Sequence, residues 1–101
     1  EFQLDFKMLK TLEDLINIIR KRKSSLDDDS YTTKLLKDKA LSVEKVKEEI
    51  GELIEAVDNG TNKVHEAADV FYHLLVYLEG NGVHIEDIME ELEKRKKKKD
   101  S

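Results

Sequence analysis

Residues 42–60 read SVEKVKEEIGELIEAVDNG, and their apolar side chains recur at steps of three and four. That spacing places the apolar side chains on one face of an α-helix, and the set is Val43, Val46, Ile50, Leu53, Ile54 and Val57. Ser42 is expected to cap the start of this helix, because its hydroxyl can accept a hydrogen bond from a free backbone N–H group. Asn59-Gly60 is expected to end it, since both residues readily adopt the left-handed backbone conformation.

The helical pattern continues on both sides of this segment. Thr61 or Asn62 is expected to start a helix that runs to Leu78 and is apolar nearly all round, as a central buried helix would be. A first helix, a short helix at Tyr31–Lys37 and a last amphipathic helix complete the set; the apolar residues of the first and last are Leu9, Leu12, Ile16 and Ile19, and Ile85, Ile88, Met89 and Leu92. Since the chain contains no proline, the pattern predicts an all-α fold, a bundle of four to five helices.

Composition narrows the class of protein. A length of 101 residues fits a single domain, at 1–101. The hydrophobic share of 39% is below that of most globular domains, so burial shared between two copies is expected. The absence of cysteine excludes thiolate metal sites and thiol nucleophiles, and a net charge of −5 does not suit a nucleic-acid-binding protein. Neither a membrane span nor a signal peptide is visible, so a cytoplasmic protein is expected.

Both ends of the chain fall outside the apolar pattern. Residues 1–5 are expected to be disordered or extraneous to the natural domain. The same is expected of residues 96–101, where a run of lysines predicts a frayed, solvated end of the last helix.

Two acidic pairs lie on different predicted helices. Glu49 and Glu52 are three residues apart, as are Glu66 and Asp69, so each pair projects from one face of its helix. In a chain with 41% charged residues, such pairs also arise by chance on solvated surfaces. The second pair, however, begins the most apolar helix, where an unpaired charge is costly. If the two helices pack antiparallel, four carboxylates converge, which predicts a divalent cation with oxygen ligands, Mg²⁺ or Mn²⁺.

The predicted cation indicates phosphate chemistry, because carboxylate-bound Mg²⁺ usually keeps positions for phosphate oxygens. The glycines do not form a phosphate-binding loop, so phosphates would be held by the metal and by lysines; the candidates are Lys34, Lys39, Lys45 and Lys47. His73 shares a helix face with Asp69. It is either a core histidine satisfied by a carboxylate or carbonyl, or a substrate contact or acid–base group. Attack by a water activated at the metal site is the simplest scheme, since no serine has the context of a nucleophile.

The order Glu48-Glu49-x-x-Glu52, thirteen further residues and Glu66-x-x-Asp69 resembles the signature of the all-α nucleoside triphosphate pyrophosphohydrolases, the MazG-type superfamily. Within it, segments 30–36 (SYTTKLL) and 66–75 (EAADVFYHLL) are similar to phosphoribosyl-ATP pyrophosphohydrolase. That resemblance implies the second step of histidine biosynthesis, the conversion of phosphoribosyl-ATP to phosphoribosyl-AMP and pyrophosphate. It also implies a Mg²⁺-dependent cytoplasmic homodimer, often fused to the cyclohydrolase of the next step.

The resemblance also implies roles for individual residues. The metal ligands would be Glu49, Glu52, Glu66 and Asp69, with Glu48 as a further member, and Glu49 and Glu52 would supply the catalytic carboxylates. The substrate contacts would be Ser30, Tyr31, Lys34, Tyr72 and His73, which Lys45 joins as a cation for phosphate. The chain departs from the family pattern at 26–29 (LDDD), where a loop with proline and glycine is usual, and at Lys47, where glycine is common.

Two other functions fit the same residues. Segment 48–56 (EEIGELIEA) also resembles MazG-type house-cleaning enzymes, so a (deoxy)nucleoside triphosphate pyrophosphatase is one alternative. A non-catalytic acidic helical interaction domain is the other. The first alternative predicts a preference for deoxynucleotides over phosphoribosyl-ATP, and the second predicts that Mg²⁺ leaves thermal stability unchanged.

Overall fold

A computed structural model describes the backbone of residues 2–99 and the side chains of residues 2–97. Its five α-helices are α1 (Phe6–Lys23), α2 (Tyr31–Lys37), α3 (Lys39–Asn59), α4 (Lys63–Gly80) and α5 (Ile85–Lys99). Residues 2–99 contain no strand, so the predicted all-α class with four to five helices is confirmed. None of the helices in this range has the length and apolar character needed to cross a lipid bilayer.

The start of α3 differs from the prediction. The helix begins at Lys39, and its N-cap is Asp38, whose Oδ1 accepts a hydrogen bond from the Leu41 N–H at 3.0 Å. Ser42 lies buried one turn inside the helix. The prediction of Ser42 as the cap is therefore wrong, because Asp38 offers an equally good acceptor four residues earlier and leaves a single residue between α2 and α3.

The connection between α3 and α4 confirms the predicted end of α3. Gly60 follows Asn59 with φ of 68°, and its N–H donates to the Ala56 carbonyl. This left-handed conformation carries no steric penalty for glycine. Asn62, at φ of 49°, then precedes α4. Since only residues 60–62 separate the two helices, α3 and α4 form an antiparallel hairpin, which is the most extensive helix packing in the structure.

The core lies where α1, α2 and α4 meet. Its buried members are Ile19, Leu35, Leu75 and Val76, and partly buried residues of α3 and α5, Leu41 and Ile85, pack against them. α4 contacts each of the other four helices. It is therefore the central helix that the sequence predicted.

Part of the predicted apolar surface is not covered within one chain. Ile54 and Val57 on α3 are exposed, and Phe71 on α4 is 66% exposed. The expectation that α4 is buried on nearly all sides is wrong for the single chain, because one flank of α4 has no neighbouring helix. The buried residues of α3 are instead Ser42, Glu49 and Ala56.

A partly buried ion pair joins α1 to the end of α4. The Glu79 carboxylate is 1% exposed and accepts hydrogen bonds from Arg20 Nε at 2.8 Å and Arg20 Nη2 at 2.9 Å. These hydrogen bonds lower the pKa of Glu79 to about 2. Arg20 also donates to Glu86, and His84 Nδ1 lies 3.1 Å from Glu79 Oε1. The cluster therefore fixes the ends of α1, α4 and α5 relative to one another.

The two ends of the chain are described only in part. α5 continues to Lys99, beyond the end at Lys96 that the sequence predicted, and lysine is a good helix former. Residues 2–5 have no regular secondary structure. Residues 1, 100 and 101 lie outside the described range, so the status of both ends as part of the domain stays a prediction.

Candidate active site

The α3–α4 hairpin brings the two acidic pairs together. Carboxylate oxygens of Glu49, Glu52 and Glu66 all lie within 4.8 Å of one another. The charge of Asp69 acts on Glu49, and that of Glu52 acts on Glu66, which is the pairing an antiparallel hairpin produces. The structure thus assembles the four carboxylates that the sequence predicted to converge; Glu49, Glu52, Glu66 and Asp69 are called the carboxylate cluster below.

Glu49 is the buried member of the carboxylate cluster. It is 9% exposed, and its Oε2 atom has no hydrogen-bond partner among the described residues. Burial raises the pKa of Glu49 above its usual value, and the neighbouring carboxylate of Glu52 raises it further. A buried carboxylate oxygen without a donor is rare and costly. The chemistry of the cluster therefore favours a positively charged occupant.

The outer edge of the carboxylate cluster includes a histidine. His65 Nε2 lies 3.4 Å from Asp69 Oδ2 and 3.8 Å from Glu66 Oε1. Burial raises the pKa of Glu66, as does the charge of Glu52. Sequence reasoning missed His65, although its i, i+4 spacing to Asp69 places both residues on one helix face. The side chain is exposed and adds a nitrogen donor to the oxygen donors of the cluster.

Glu48 is not part of the carboxylate cluster. Its Oε2 atom lies 2.9 Å from Lys45 Nζ, and this hydrogen bond raises the pKa of Lys45. Adjacent residues of a helix point about 100° apart, so Glu48 and Glu49 cannot share the same direction. Lys45 lies close enough to Tyr31 for its charge to act on the phenol, while Lys39 and Lys47 are exposed elsewhere on α3.

Three aromatic side chains, Tyr31, Tyr72 and His73, form an aromatic wall where α2 packs against α4. Tyr31 Oη lies 2.9 Å from His73 Nε2, and Tyr72 Oη lies 2.5 Å from Thr32 Oγ1. The two tyrosine rings stack with centroids 6.3 Å apart. His73 is buried, and its Nδ1 atom lies 2.8 Å from the Asp69 carbonyl oxygen. This geometry fits a core histidine satisfied by a carbonyl, and a contact of His73 with substrate stays a prediction.

Ser30 caps the start of α2. Its Oγ atom accepts a hydrogen bond from the Thr33 N–H at 3.1 Å, and its own N–H donates to Asp28 Oδ1 at 2.8 Å. Hydrogen bonds from Ser30 hold the pKa of Asp28 well below its usual value. Lys34 is exposed in an adjoining groove that Lys37 also lines. Ser30 therefore stabilises the start of α2 through its side chain, and Lys34 is accessible to an anion.

The matched family model, phosphoribosyl-ATP pyrophosphohydrolase, spans residues 12–96. The chain belongs to this family. A protein named phosphoribosyl-ATP pyrophosphatase from Methylobacterium nodulans is 44% identical over 88 residues, which are 84% of this chain and 82% of that protein. A protein of the same name from Methanoregula boonei is 40% identical over 94 residues, with coverage of 88% and 90%. The histidine biosynthesis bifunctional protein HisIE of Thermotoga maritima is 41% identical over 87 residues, but these are only 44% of its length.

Membership in the phosphoribosyl-ATP pyrophosphohydrolase family confirms the resemblance predicted from segments 30–36 and 66–75. The matched range includes the carboxylate cluster and the aromatic wall.

Sequence reasoning did not find the Arg20–Glu79 pair. The available signal was a lone acid between Leu78 and Gly80, because a carboxylate on the most apolar helix requires a cationic partner.

Proposed function

We propose that the chain hydrolyses phosphoribosyl-ATP to phosphoribosyl-AMP and pyrophosphate, the second step of histidine biosynthesis. The observation that carries this proposal is the carboxylate cluster of the α3–α4 hairpin in a chain of this family. The names of the relatives agree with this reaction. A location in the cytoplasm remains a prediction from the resemblance.

Mg²⁺ is the proposed cation of the carboxylate cluster, with Mn²⁺ as a substitute. The donor set consists of carboxylate oxygens, which hard divalent cations prefer. Glu49 Oε2, buried and without a hydrogen-bond donor, would gain a positively charged partner. When bound, the cation offsets the negative charge that develops on the leaving pyrophosphate.

The chain's own residues perform the remaining steps of the proposed reaction. The attacking water loses a proton to a carboxylate of the cluster, for which Glu49 and Glu52 are the candidates. Its oxygen bonds to a phosphorus of the P–O–P bridge that joins the AMP portion to the pyrophosphate, and the bond from that phosphorus to the bridging oxygen breaks. Lys45 and Lys34 provide positive charge for the phosphates, and Tyr31 covers one side of the site.

We also propose that two copies of the chain form a homodimer. The radius of gyration is 15.3 Å, whereas a compact domain of this length has about 13 Å. Apolar side chains of α1 and α4 line an open groove of about 490 Å³; they include Leu9, Leu12, Val64 and Phe71. An apolar surface of this kind marks an interaction site, and a second copy would cover it.

The test of the reaction is pyrophosphate release from phosphoribosyl-ATP with Mg²⁺ and with a chelator. ATP, dCTP and dUTP serve as competing substrates. Metal-dependent release with a clear preference for phosphoribosyl-ATP supports the proposal. A preference for a deoxynucleotide would instead assign the chain to nucleotide house-cleaning, and no turnover of any substrate would favour the interaction domain.

A further inference from the structure

The hydrogen bonds of His73 define which ring nitrogen carries the proton. Nδ1 lies 2.8 Å from the carbonyl oxygen of Asp69, one turn earlier on α4. A carbonyl oxygen only accepts hydrogen bonds, so Nδ1 must be the protonated nitrogen. In its neutral form the ring has one N–H group, and Nε2 then presents a lone pair.

The direction of the bond between Tyr31 and His73 follows from this tautomer. Tyr31 Oη lies 2.9 Å from His73 Nε2, and two acceptors cannot bond to each other. The Tyr31 hydroxyl must donate its single proton to Nε2. Because a hydroxyl that donates can still accept, the lone pairs of the Tyr31 oxygen are left as acceptors of defined orientation.

Tyr31 is linked to the carboxylate cluster through His73, whose Nδ1 atom lies 2.8 Å from the Asp69 carbonyl oxygen. The charges of Lys45 and Glu49 both act on its phenol, and the residue is 44% exposed. Burial raises the pKa of Tyr31 above its usual value, and an ordinary phenol already keeps its proton at neutral pH. An O–H group that enters the site can therefore meet this oxygen acceptor.

The neighbouring bond between α2 and α4 lacks this property. Thr32 Oγ1 and Tyr72 Oη lie 2.5 Å apart, one residue along each helix from the first pair. Both groups are hydroxyls, so either can be the donor. This second bond links α2 to α4 but does not fix the direction of a lone pair. Its removal therefore shows how much activity is lost when only a structural link between the two helices is broken.

We propose that His73 is a positioning residue, which holds the Tyr31 oxygen as the acceptor of a hydrogen bond from an O–H group at the carboxylate cluster. That O–H group belongs either to the attacking water or to a hydroxyl of the substrate. The role rests on the proposed hydrolysis at this cluster. His73 itself touches neither the substrate nor the reacting atoms.

The test compares four single variants and one double variant in steady-state pyrophosphate release from phosphoribosyl-ATP. Tyr31→Phe removes the hydroxyl oxygen that accepts the hydrogen bond but keeps the ring. His73→Leu removes the imidazole that orients this hydroxyl. Each should lower kcat/KM about tenfold, and the double variant should lose no more than either single one. His73→Gln retains an acceptor near the Nε2 position and should recover part of the loss, while Thr32→Val should stay within about twofold of the wild type.

The two sources of the O–H group give different kinetics. A fall in kcat with unchanged KM identifies the attacking water, and a rise in KM identifies a substrate hydroxyl. An unchanged rate for Tyr31→Phe overturns the proposal, and so does an equal loss for Thr32→Val. Thermal unfolding of each variant separates a lost fold from a lost acceptor.

The tautomer is tested independently by ¹⁵N NMR of the histidine rings in the metal-free wild type. The result expected for His73 is a protonated Nδ1, and a protonated Nε2 overturns the proposal. If the wild type releases no pyrophosphate from phosphoribosyl-ATP, the proposed function fails, and with it the role of Tyr31. The NMR result then still shows whether the hydrogen-bond direction is as stated.

Discussion

Replacement of Arg20 by methionine is expected to destabilise the protein by about 3 kcal/mol at pH 7. The pKa of the 1% exposed Glu79 carboxylate is lowered from 4.5 to about 2, and the hydrogen bonds from Arg20 are the largest cause. Since one pKa unit is worth about 1.4 kcal/mol, the shift corresponds to about 3 kcal/mol, most of which is lost with Arg20. Loss of one partner of a buried pair costs about 3–5 kcal/mol, and the 35% exposure of Arg20 keeps the value at the lower end because solvent screens the pair.

The assay is urea unfolding of the wild type and Arg20→Met at one protein concentration, at several pH values. The folded pKa of Glu79 lies below its unfolded value, so its contribution to stability is present above that unfolded value and is lost as the pH falls. The difference between the two proteins should therefore be full at neutral pH and shrink as the pH falls from 4.5 to about 2.

A matched control is Lys10→Met, which breaks an exposed pair with Asp14 at 2.9 Å. This substitution should cost less than about 1 kcal/mol. The double variant Arg20→Met with Glu79→Gln should recover part of the loss, because no unpaired charge stays buried. A cost for Arg20→Met at pH 7 that is no larger than that for Lys10→Met would refute the reasoning.

Three further predictions concern the site, the hairpin and the proposed dimer. Glu49→Gln should raise the free energy of unfolding of the metal-free protein at pH 7, because the raised pKa of Glu49 means that the fold disfavours its charged form. Thermal unfolding measures this, and Mg²⁺ should stabilise the wild type far more than the variant; a less stable metal-free variant contradicts the prediction. Gly60→Ala, at φ of +68°, should cost about 1 kcal/mol, whereas Gly51→Ala inside α3, where the added Cβ meets no atom within 4 Å, should add about 0.5–1 kcal/mol. Equal effects in urea unfolding would argue against the left-handed turn. Phe71→Glu places a charge on the exposed flank of α4 and should convert the proposed dimer to a monomer in sedimentation experiments, and an unchanged mass would exclude this flank from the interface.

Local signals made much of the fold predictable. The sequence predicts the short helix Tyr31–Lys37 at the bounds that the structure shows, where the Ser30 side chain caps its start. Asn59-Gly60 also predicts the end of α3, where Gly60 adopts the left-handed conformation. The start of α3 was missed because Asp38 and Ser42 are both good caps, and the choice between them depends on how closely α2 and α3 are joined.

Nonlocal contacts explain what the sequence could not show. The four carboxylates converge because two i, i+3 pairs are joined by a short turn, and this much follows from spacing alone. The bond between Tyr31 and His73 joins residues 42 positions apart and depends on how α2 packs against α4. Helical periodicity places the apolar side chains of Ile54 and Val57 on one helix face. It does not show whether another part of the same chain covers that face.

The most direct measurement is pyrophosphate release from phosphoribosyl-ATP at saturating Mg²⁺ by the wild type, Glu52→Gln and Glu44→Gln. Glu52 belongs to the carboxylate cluster, and Glu44 is an exposed acid on the same helix. Both substitutions remove one negative charge from α3. Glu52→Gln should lose about a hundredfold or more of the rate while Glu44→Gln keeps that of the wild type. Equal activity of the two variants would contradict the assignment of hydrolysis to the carboxylate cluster.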